Sequence, residues 1–217
     1  MNQADVKSVD VLAPDIFELT LERGDFTFEP GDCVAVFKTE DVSRPYSISS
    51  GVNEDHLRFL VRRIAGGTVS DWLAQRQPGD TVTLSAPFGW FRPAHGDEPD
   101  SPRVFVATGT GIAPFLSALK STNTTPVLCL YGVRTRADAV AFDYLAQRCP
   151  VKLAVSREVA DPHHHGRVTD LLEEIPLETG THFYLCGLDA MIDQTSTWLE
   201  AHAIDITHIH REVFFNA

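Results

Sequence analysis

Residues 44–50, "RPYSISS", combine side-chain types that could bind a large, flat anion. The stretch holds an arginine, a tyrosine and three serines, and so offers a cation, an aromatic ring and hydroxyl donors. One interpretation is a plain strand with Tyr46 and Ile48 on one face and Ser47 and Ser49 on the other. The alternative is a ligand surface, on which the arginine binds a phosphate and the ring packs against a planar group. This stretch alone leaves both open.

A second stretch, "ATGTGIAPF" (107–115), follows an apolar strand and predicts a turn into a helix. Gly109 and Gly111 allow a tight turn and a close approach of the backbone to a ligand. Pro114 suits the first helical turn, where free N–H groups and the helix dipole attract anions. The spacing is GxGxxP and not the GxGxxG of the usual dinucleotide fingerprint. A purely structural turn therefore remains an alternative.

Other residue patterns exclude several classes of function. "HHH" (163–165) favours a solvated loop, because adjacent histidines cannot all face one ion, and we expect no metal. His208 and His210 share one face of a last strand, where packing is the favoured role. The net charge of −12 argues against a nucleic-acid binder. The four cysteines lack a CxxC or similar spacing, which argues against a zinc site, a disulfide framework and an iron–sulfur cluster; they are Cys33, Cys129, Cys149 and Cys186.

The elements that position these residues divide the chain in two. Residues 6–90 read as about six short strands with one helix at 69–76, which predicts a small antiparallel barrel. The polar stretch 92–103 is typical of a domain boundary. After it, apolar strands alternate with helical patterns, including 138–149 and 168–175, which predicts a parallel sheet covered on both faces.

No membrane insertion is predicted. The chain has no apolar run of about 18 residues, and its start, "MNQADVKSVD", is too polar for a signal peptide. We expect a cytoplasmic monomer.

Taken in order, the motifs resemble those of the ferredoxin–NADP reductase superfamily over nearly the whole chain. "RPYSISS" is similar to that family's RxYSxxS, and "GGTVSDWL" to its GxxS segment. "PGDTVTLSAPFG", "GTGIAPF", "YLCGLDAM" and "REVFFNA" resemble its later motifs. The resemblance implies two domains: an antiparallel β-barrel that binds FAD (1–97) and an α/β parallel-sheet domain that binds NADP (98–217). One local difference is "GDC" (31–33), where the family commonly has Gly-Gln.

The resemblance implies an FAD site on the barrel. Arg44 would pair with the pyrophosphate, Tyr46 would lie against the isoalloxazine or ribityl, and Ser47 would hydrogen-bond near flavin N5. The helix start at Gly67 and Ser70 would bind the other part of the pyrophosphate. The full predicted set is Arg44, Pro45, Tyr46, Ser47, Ser50, Gly67, Thr68, Val69 and Ser70.

The resemblance also implies an NADP site on the second domain. Ser156 and Arg157 resemble the segment that binds the 2′-phosphate, and Arg134 follows a strand where an NAD site usually shows a carboxylate. Cys186 would lie beside the nicotinamide, Glu212 would orient that ring or relay a proton, and Phe214 would cover the flavin until nicotinamide displaces it. The catalytic set is thus Ser47, Cys186, Glu212 and Phe214. The nucleotide set is Thr108, Gly109, Gly111, Arg134, Ser156, Arg157, Arg167, Cys186, Gly187, Phe214 and Phe215.

The implied reaction passes electrons from NADPH through FAD to a separate carrier, ferredoxin or flavodoxin, because no cysteine set for a cluster is fused to the chain. Such carriers are acidic, so Arg58, Arg62 and Arg63 are candidates for a local basic docking patch; a solvated strand face is the alternative. Two other functions remain open. One is an NADH-dependent reductase component of an oxygenase system, and the other is a non-catalytic flavin-binding electron-transfer subunit.

Overall fold

A computed structural model of the 217-residue chain describes residues 1–94, 101–123 and 125–214. The chain divides into two compact units. The first contains Met1–Ala94 and Ala113–Asn123, and the described parts of the second are 101–112 and 125–214. The predicted boundary after residue 97 falls outside the described residues and stays a prediction. Within the described parts, no helix has both the length and the apolar character needed to cross a membrane.

The first unit is a six-stranded antiparallel sheet with the order β4-β3-β6-β1-β2-β5. Its strands are β1 (Asn2–Ala13), β2 (Ile16–Glu22), β3 (Cys33–Thr39), β4 (Val42–Ser47), β5 (His56–Arg62) and β6 (Thr81–Leu84). The two outer strands meet where the Ser49 N–H donates to Arg58 O at 2.8 Å, which joins the ends of the sheet into the predicted barrel.

Alternating apolar residues fill this barrel. Leu19 and Leu21 on β2 and Leu57 and Phe59 on β5 are fully buried. Each such side chain stabilises the fold by roughly 1.5–3 kcal/mol. The helix α1 (Ser70–Leu73) adds Leu73 to the same core, so the predicted single helix of this half is confirmed, although it is shorter than 69–76.

The helix after the glycine turn, α2 (Ala113–Ser121), groups with the first unit. Ser121 Oγ accepts a hydrogen bond from the Val52 N–H at 3.0 Å. Lys120 Nζ donates to Ser49 O at 3.1 Å. The last turn of α2 is thereby attached to the chain segment that leaves β4.

The second unit is a six-stranded parallel sheet with the order β10-β9-β8-β7-β11-β12. Its central strands are buried almost throughout, as expected when both faces of a parallel sheet are covered. The strands are β7 (Arg103–Thr108), β8 (Leu128–Val133), β9 (Val151–Val155), β10 (His164–His165), β11 (His182–Gly187) and β12 (Ile209–Val213). The helices are α3 (Phe142–Ala146) and α4 (Asp189–Ala201), with 3₁₀ turns at Gly109–Ile112, Arg136–Asp138, Val168–Glu174 and Ile206–His208.

Two helical predictions in this half are corrected. The helix predicted over 138–149 is only α3, because the Asp138 carboxylate accepts from the N–H and hydroxyl of Thr135, both at 3.1 Å, and so closes a separate 3₁₀ turn. The segment 168–175 is a 3₁₀ helix, Val168–Glu174, not an α-helix.

The histidine stretches take different roles. His164 and His165 form the edge strand β10 and not the predicted solvated loop. His210 stacks on Tyr184 with ring centroids 4.4 Å apart, and its Nε2 lies 2.9 Å from His182 Nδ1. The predicted packing role is therefore confirmed for His210. His208 also packs, with its ring centroid 4.5 Å from that of His182, but it ends the 3₁₀ turn Ile206–His208 and does not lie on the last strand as predicted.

Candidate functional site

The strand β4 presents the cation and the aromatic ring predicted for the first site. Arg44 is exposed, and its Nη1 donates to Ser43 O at 2.8 Å. No carboxylate of the described residues pairs with it. Tyr46 is half-buried against the barrel core. Burial raises the pKa of Tyr46 to about 12, although the charge of Arg44 acts in the opposite direction. The ring is therefore neutral at ordinary pH, and the guanidinium is available to an anion.

The residues that follow are buried, and their hydroxyls differ in their contacts. Ser47 is 4% exposed, and its Oγ lies 3.3 Å from Cys33 Sγ. Ser50 Oγ accepts from the Arg58 N–H at 3.1 Å, so this hydroxyl helps to join β4 to β5. Pro45 is exposed. The face alternation predicted for 46–49 is thus lost beyond Tyr46, since both sides of 47–50 are covered.

The start of α1 offers backbone donors to an anion. The Gly67 N–H donates to Ile64 O at 2.7 Å, and Ser70 Oγ accepts from the Ile64 N–H at 3.2 Å. These two bonds close the turn before the helix. Among the described residues, no group accepts from the N–H of Thr68, Val69 or Ser70. The first unit therefore combines an unpaired cation, a flat ring and free N–H donors, and these groups fit a flavin dinucleotide.

The basic docking patch predicted on β5 is largely neutralised. Arg58 pairs with Glu18 at 2.9 Å and with Glu54 at 3.2 Å. Arg63 pairs with Asp71 at 2.6 Å. Since neighbouring carboxylates cancel these charges, the interpretation of this surface as a basic patch is corrected.

In the second unit, close backbone packing explains two glycines at the carboxyl edge of the sheet. A Cβ on Gly111 would lie 2.5 Å from Cys186 O, and one on Gly187 would overlap Thr108 Oγ1. Thr108 Oγ1 also accepts from the Leu188 N–H at 2.8 Å, which ties the end of β7 to the start of α4. Close backbone packing therefore requires glycine at positions 111 and 187, whether or not a ligand also binds at this turn. Gly109 is the first residue of the 3₁₀ turn Gly109–Ile112.

The predicted catalytic residues of this unit lie on neighbouring strands. Cys186 and Glu212 are register partners on β11 and β12, and Cys186 Sγ lies 3.8 Å from Glu212 Oε1. Cys186 is fully buried and Glu212 is half-buried. The half-buried Phe214 follows β12, and its N–H donates to Gly187 O at 2.8 Å. Phe215 lies outside the described residues.

Two predicted phosphate-binding arginines meet at adjacent strand ends. The pairing of β8 with β9 continues past both strands, since the Arg157 N–H donates to Arg134 O at 2.8 Å and the Ser156 N–H to Val133 O at 3.0 Å. Arg134, Ser156 and Arg157 are exposed. Within the described parts of the chain, neither guanidinium forms an ion pair. This edge therefore has the charge and the donors to bind a phosphate.

The neighbouring cations Arg136 and Arg167 differ in their contacts. Arg136 lies over the Phe142 ring at 4.9 Å and pairs with Asp143 at 3.8 Å. Arg167 precedes the 3₁₀ turn Val168–Glu174, beside Asp170, whose pKa is lowered by the hydrogen bonds from the His164 side chain and the Arg167 N–H and by the charge of Arg167. Arg136 is consequently less available to a phosphate than Arg134 and Arg157, whereas the exposed Arg167 forms no ion pair within the described residues and stays a predicted phosphate contact.

Cys33 is a neighbour of the predicted site residue Ser47 that no sequence motif indicated. Its thiol reaches the Ser47 hydroxyl because β3 and β4 pair in one particular register. The departure "GDC" from the family pattern was the available signal, but it did not indicate a contact with Ser47.

Comparison with known proteins connects both units to one family. Residues 5–92 match the oxidoreductase FAD-binding domain, and residues 105–197 match the oxidoreductase NAD-binding domain. The chain is 31% identical to the ferredoxin–NAD(P)(+) reductase component of the naphthalene 1,2-dioxygenase system of Pseudomonas putida, covering 88% of this chain and 61% of that protein. It is 30% identical to ferredoxin–NADP reductase B of Sorangium cellulosum, covering 88% of this chain and 87% of that protein.

A solved structure has a similar fold. The flavohem-like FAD/NAD-binding domain of nitric oxide dioxygenase from Vibrio cholerae superposes with a TM-score of 0.87 at 26% identity, covering 98% of both chains. These matches agree with an antiparallel FAD-type barrel followed by a parallel NAD-type sheet. The chain therefore belongs to the ferredoxin–NADP reductase superfamily.

Proposed function

We propose that this chain is an FAD-dependent oxidoreductase that passes electrons between NADPH and a separate one-electron carrier protein such as ferredoxin or flavodoxin. One observation carries the proposal: each unit has exposed arginines that no carboxylate of the described residues neutralises. They include Arg44 in the first unit and Arg134, Arg157 and Arg167 in the second. FAD and NADPH both carry phosphates, which such guanidiniums bind through charge-assisted hydrogen bonds.

On the flavin side, each residue has a distinct task. Arg44 and the free N–H groups of 68–70 bind the pyrophosphate, and Tyr46 offers a neutral flat face to the ring system. Ser47 hydrogen-bonds near N5. When bound, FAD supplies the ability to accept a hydride and to release electrons one at a time; the chain binds and orients it.

On the nucleotide side, Arg134, Ser156 and Arg157 bind the 2′-phosphate that distinguishes NADPH from NADH. Both guanidiniums are exposed and form no ion pair within the described residues, and Arg157 is the main contact because it belongs, with Ser156, to the segment that resembles the 2′-phosphate site. Cys186 lies beside the nicotinamide, and Glu212 orients that ring or holds a proton. Phe214 covers the flavin ring and moves away from it when the nicotinamide binds.

A second candidate is the NADH-dependent reductase component of an oxygenase system. The relative from Pseudomonas putida, which is named as the ferredoxin–NAD(P)(+) reductase component of an oxygenase system, favours the oxygenase part of this candidate. This function uses the same flavin residues, but it gives Arg134 and Arg157 no 2′-phosphate to bind.

The experiment is an anaerobic titration of the purified, FAD-loaded protein with NADPH and then with NADH, followed by the flavin absorbance. We expect NADPH to bleach the flavin faster, and the reduced protein to pass electrons to ferredoxin or flavodoxin. A preference for NADH, with transfer to an oxygenase ferredoxin, would favour the second candidate. FAD that neither nucleotide bleaches would indicate a non-catalytic flavin subunit, and failure to bind FAD would contradict both enzyme proposals.

A further inference from the structure

The loops that leave β8 and β9 are joined by a ladder of hydrogen bonds beyond the ends of the two strands. The Ser156 N–H donates to Val133 O at 3.0 Å, and the Ser156 hydroxyl donates to the same oxygen at 3.1 Å. The Arg157 N–H donates to Arg134 O at 2.8 Å. Both arginines of the proposed phosphate site therefore lie on this ladder, one on each loop.

The last bond of the ladder is accepted by a side chain and not by the backbone. The Arg136 N–H donates to Glu158 Oε1 at 2.6 Å. Arg136 is the first residue of the 3₁₀ turn Arg136–Asp138, and an N–H at the start of a helical turn has no acceptor within that turn. A carboxylate accepts such a bond with the help of its charge. Glu158 thereby fastens the segment 134–136 to the segment 156–158.

The Glu158 carboxylate does not neutralise the arginines near it in these segments. Within the residues that the structure describes, Glu158 forms no ion pair, and the guanidinium of Arg136 pairs with Asp143 instead. Glu158 is exposed and directly follows Arg157 in the chain. Its negative charge opposes the binding of a phosphate at this edge, because like charges repel. Any favourable effect of Glu158 on phosphate binding must therefore come from its hydrogen bond.

We propose that Glu158 is a positioning residue of the 2′-phosphate site, which holds the loop of Arg134 against the loop of Arg157 so that both guanidiniums reach one phosphate. This inference rests on the proposed function, in which these arginines bind the 2′-phosphate of NADPH. Glu158 acts through the Arg136 N–H and does not touch the nucleotide. Ordering two loops at the moment of binding costs conformational entropy, and a backbone that is already fixed lowers this cost.

The proposal predicts opposite results for two substitutions of Glu158. Glu158→Ala removes the acceptor and loosens the loop of Arg134, so the affinity for NADP⁺ and 2′-AMP should fall about three- to tenfold, as for the loss of one hydrogen bond. Charge alone predicts tighter binding for this variant, because a negative charge is removed near the phosphate. Glu158→Gln keeps an acceptor and removes the charge, so it should bind NADP⁺ at least as tightly as the wild type.

The test is isothermal titration calorimetry of the FAD-loaded variants with NADP⁺, NAD⁺, 2′-AMP and 5′-AMP, with the thermal unfolding of each variant measured in parallel. For Glu158→Ala we expect a loss only with the two ligands that carry the 2′-phosphate, at an unfolding temperature close to that of the wild type. In an Arg134→Ala background the same substitution should have little further effect, because the loop no longer carries a guanidinium to the phosphate.

Asp143→Ala is the matched control. It also removes a carboxylate, the one that pairs with Arg136, but it leaves the Arg136 N–H bonded to Glu158. The affinity of this variant for NADP⁺ should therefore not fall.

Four results would overturn the inference: an unchanged or higher affinity for NADP⁺ in Glu158→Ala, an equal loss with NAD⁺, a loss in Glu158→Gln as large as in Glu158→Ala, or an undiminished loss in the Arg134→Ala background. Each can occur in a protein that binds NADP⁺ more tightly than NAD⁺ and whose flavin NADPH bleaches, so failure of this inference is separate from failure of the proposed function. A wild-type protein that prefers NAD⁺ would overturn both.

Discussion

Replacement of Arg157 by alanine should weaken the binding of NADP⁺ much more than that of NAD⁺. The guanidinium is exposed, forms no ion pair within the described residues, and lies next to Arg134 through the 2.8 Å backbone hydrogen bond. At an exposed site, two unit charges about 4 Å apart interact by roughly 1 kcal/mol. The 2′-phosphate carries a charge of about −1.5 to −2, as other phosphate monoesters do, so the loss is about 1.5–2 kcal/mol. That free energy corresponds to a roughly 10- to 30-fold weaker complex.

The assay is isothermal titration calorimetry of the FAD-loaded protein with NADP⁺, NAD⁺, 2′-AMP and 5′-AMP. We expect Arg157→Ala to lose affinity for NADP⁺ and 2′-AMP, with little change for the other two ligands. The loss should shrink at about 1 M salt, where the screening length falls to about 3 Å. Arg136→Ala is the control, since that guanidinium is already engaged by Phe142 and Asp143. Equal losses for NADP⁺ and NAD⁺, or tighter binding of NAD⁺ by the wild type, would refute the assignment of this edge to a 2′-phosphate.

Three further outcomes are expected. Arg44→Ala should weaken FAD binding by about 1.5–3 kcal/mol, the value of a hydrogen bond to a charged group. Arg63→Ala is the control and should bind FAD normally, because Arg63 pairs with Asp71; equal FAD affinity in the two variants would contradict the pyrophosphate role of Arg44. Phe214→Ala should bind both nicotinamide nucleotides more tightly and release the product nucleotide more slowly. Titration measures the affinity and steady-state turnover measures the release; an unchanged nucleotide affinity would exclude a gating role for Phe214. Because the pKa of Tyr46 is raised to about 12 in the folded state and is about 10 when unfolded, its contribution to stability is complete below pH 10 and is lost as pH rises toward 12. Chemical unfolding of wild type and Tyr46→Phe across this range should show a steeper loss in the wild type, and parallel curves would contradict the shifted pKa.

The sequence alone determined the type of each unit, because the period of apolar residues reports which side chains are buried. Alternation in Leu19 and Leu21 predicts a strand of a barrel with one covered face, and the continuous apolar run of β11 predicts a central strand of a parallel sheet. The family motifs likewise indicated Arg44, Tyr46 and Arg157 as binding residues, since each motif is local in the chain. The 3₁₀ turn closed by Asp138 was missed, because a helical pattern does not report a competing side-chain hydrogen bond.

Only the tertiary structure decided which distant residues meet. Cys33 faces Ser47, and Arg134 adjoins Arg157, because strands pair in one register, and a shift of one residue would turn each side chain to the other face. The same reason explains the loss of the predicted basic patch, since the charge of Arg58 is cancelled by Glu18 on β2, forty positions earlier in the chain. The local sequence pattern indicates whether a residue is buried. Which residue it contacts depends on strand register and loop closure, and these are determined by the fold of the whole chain.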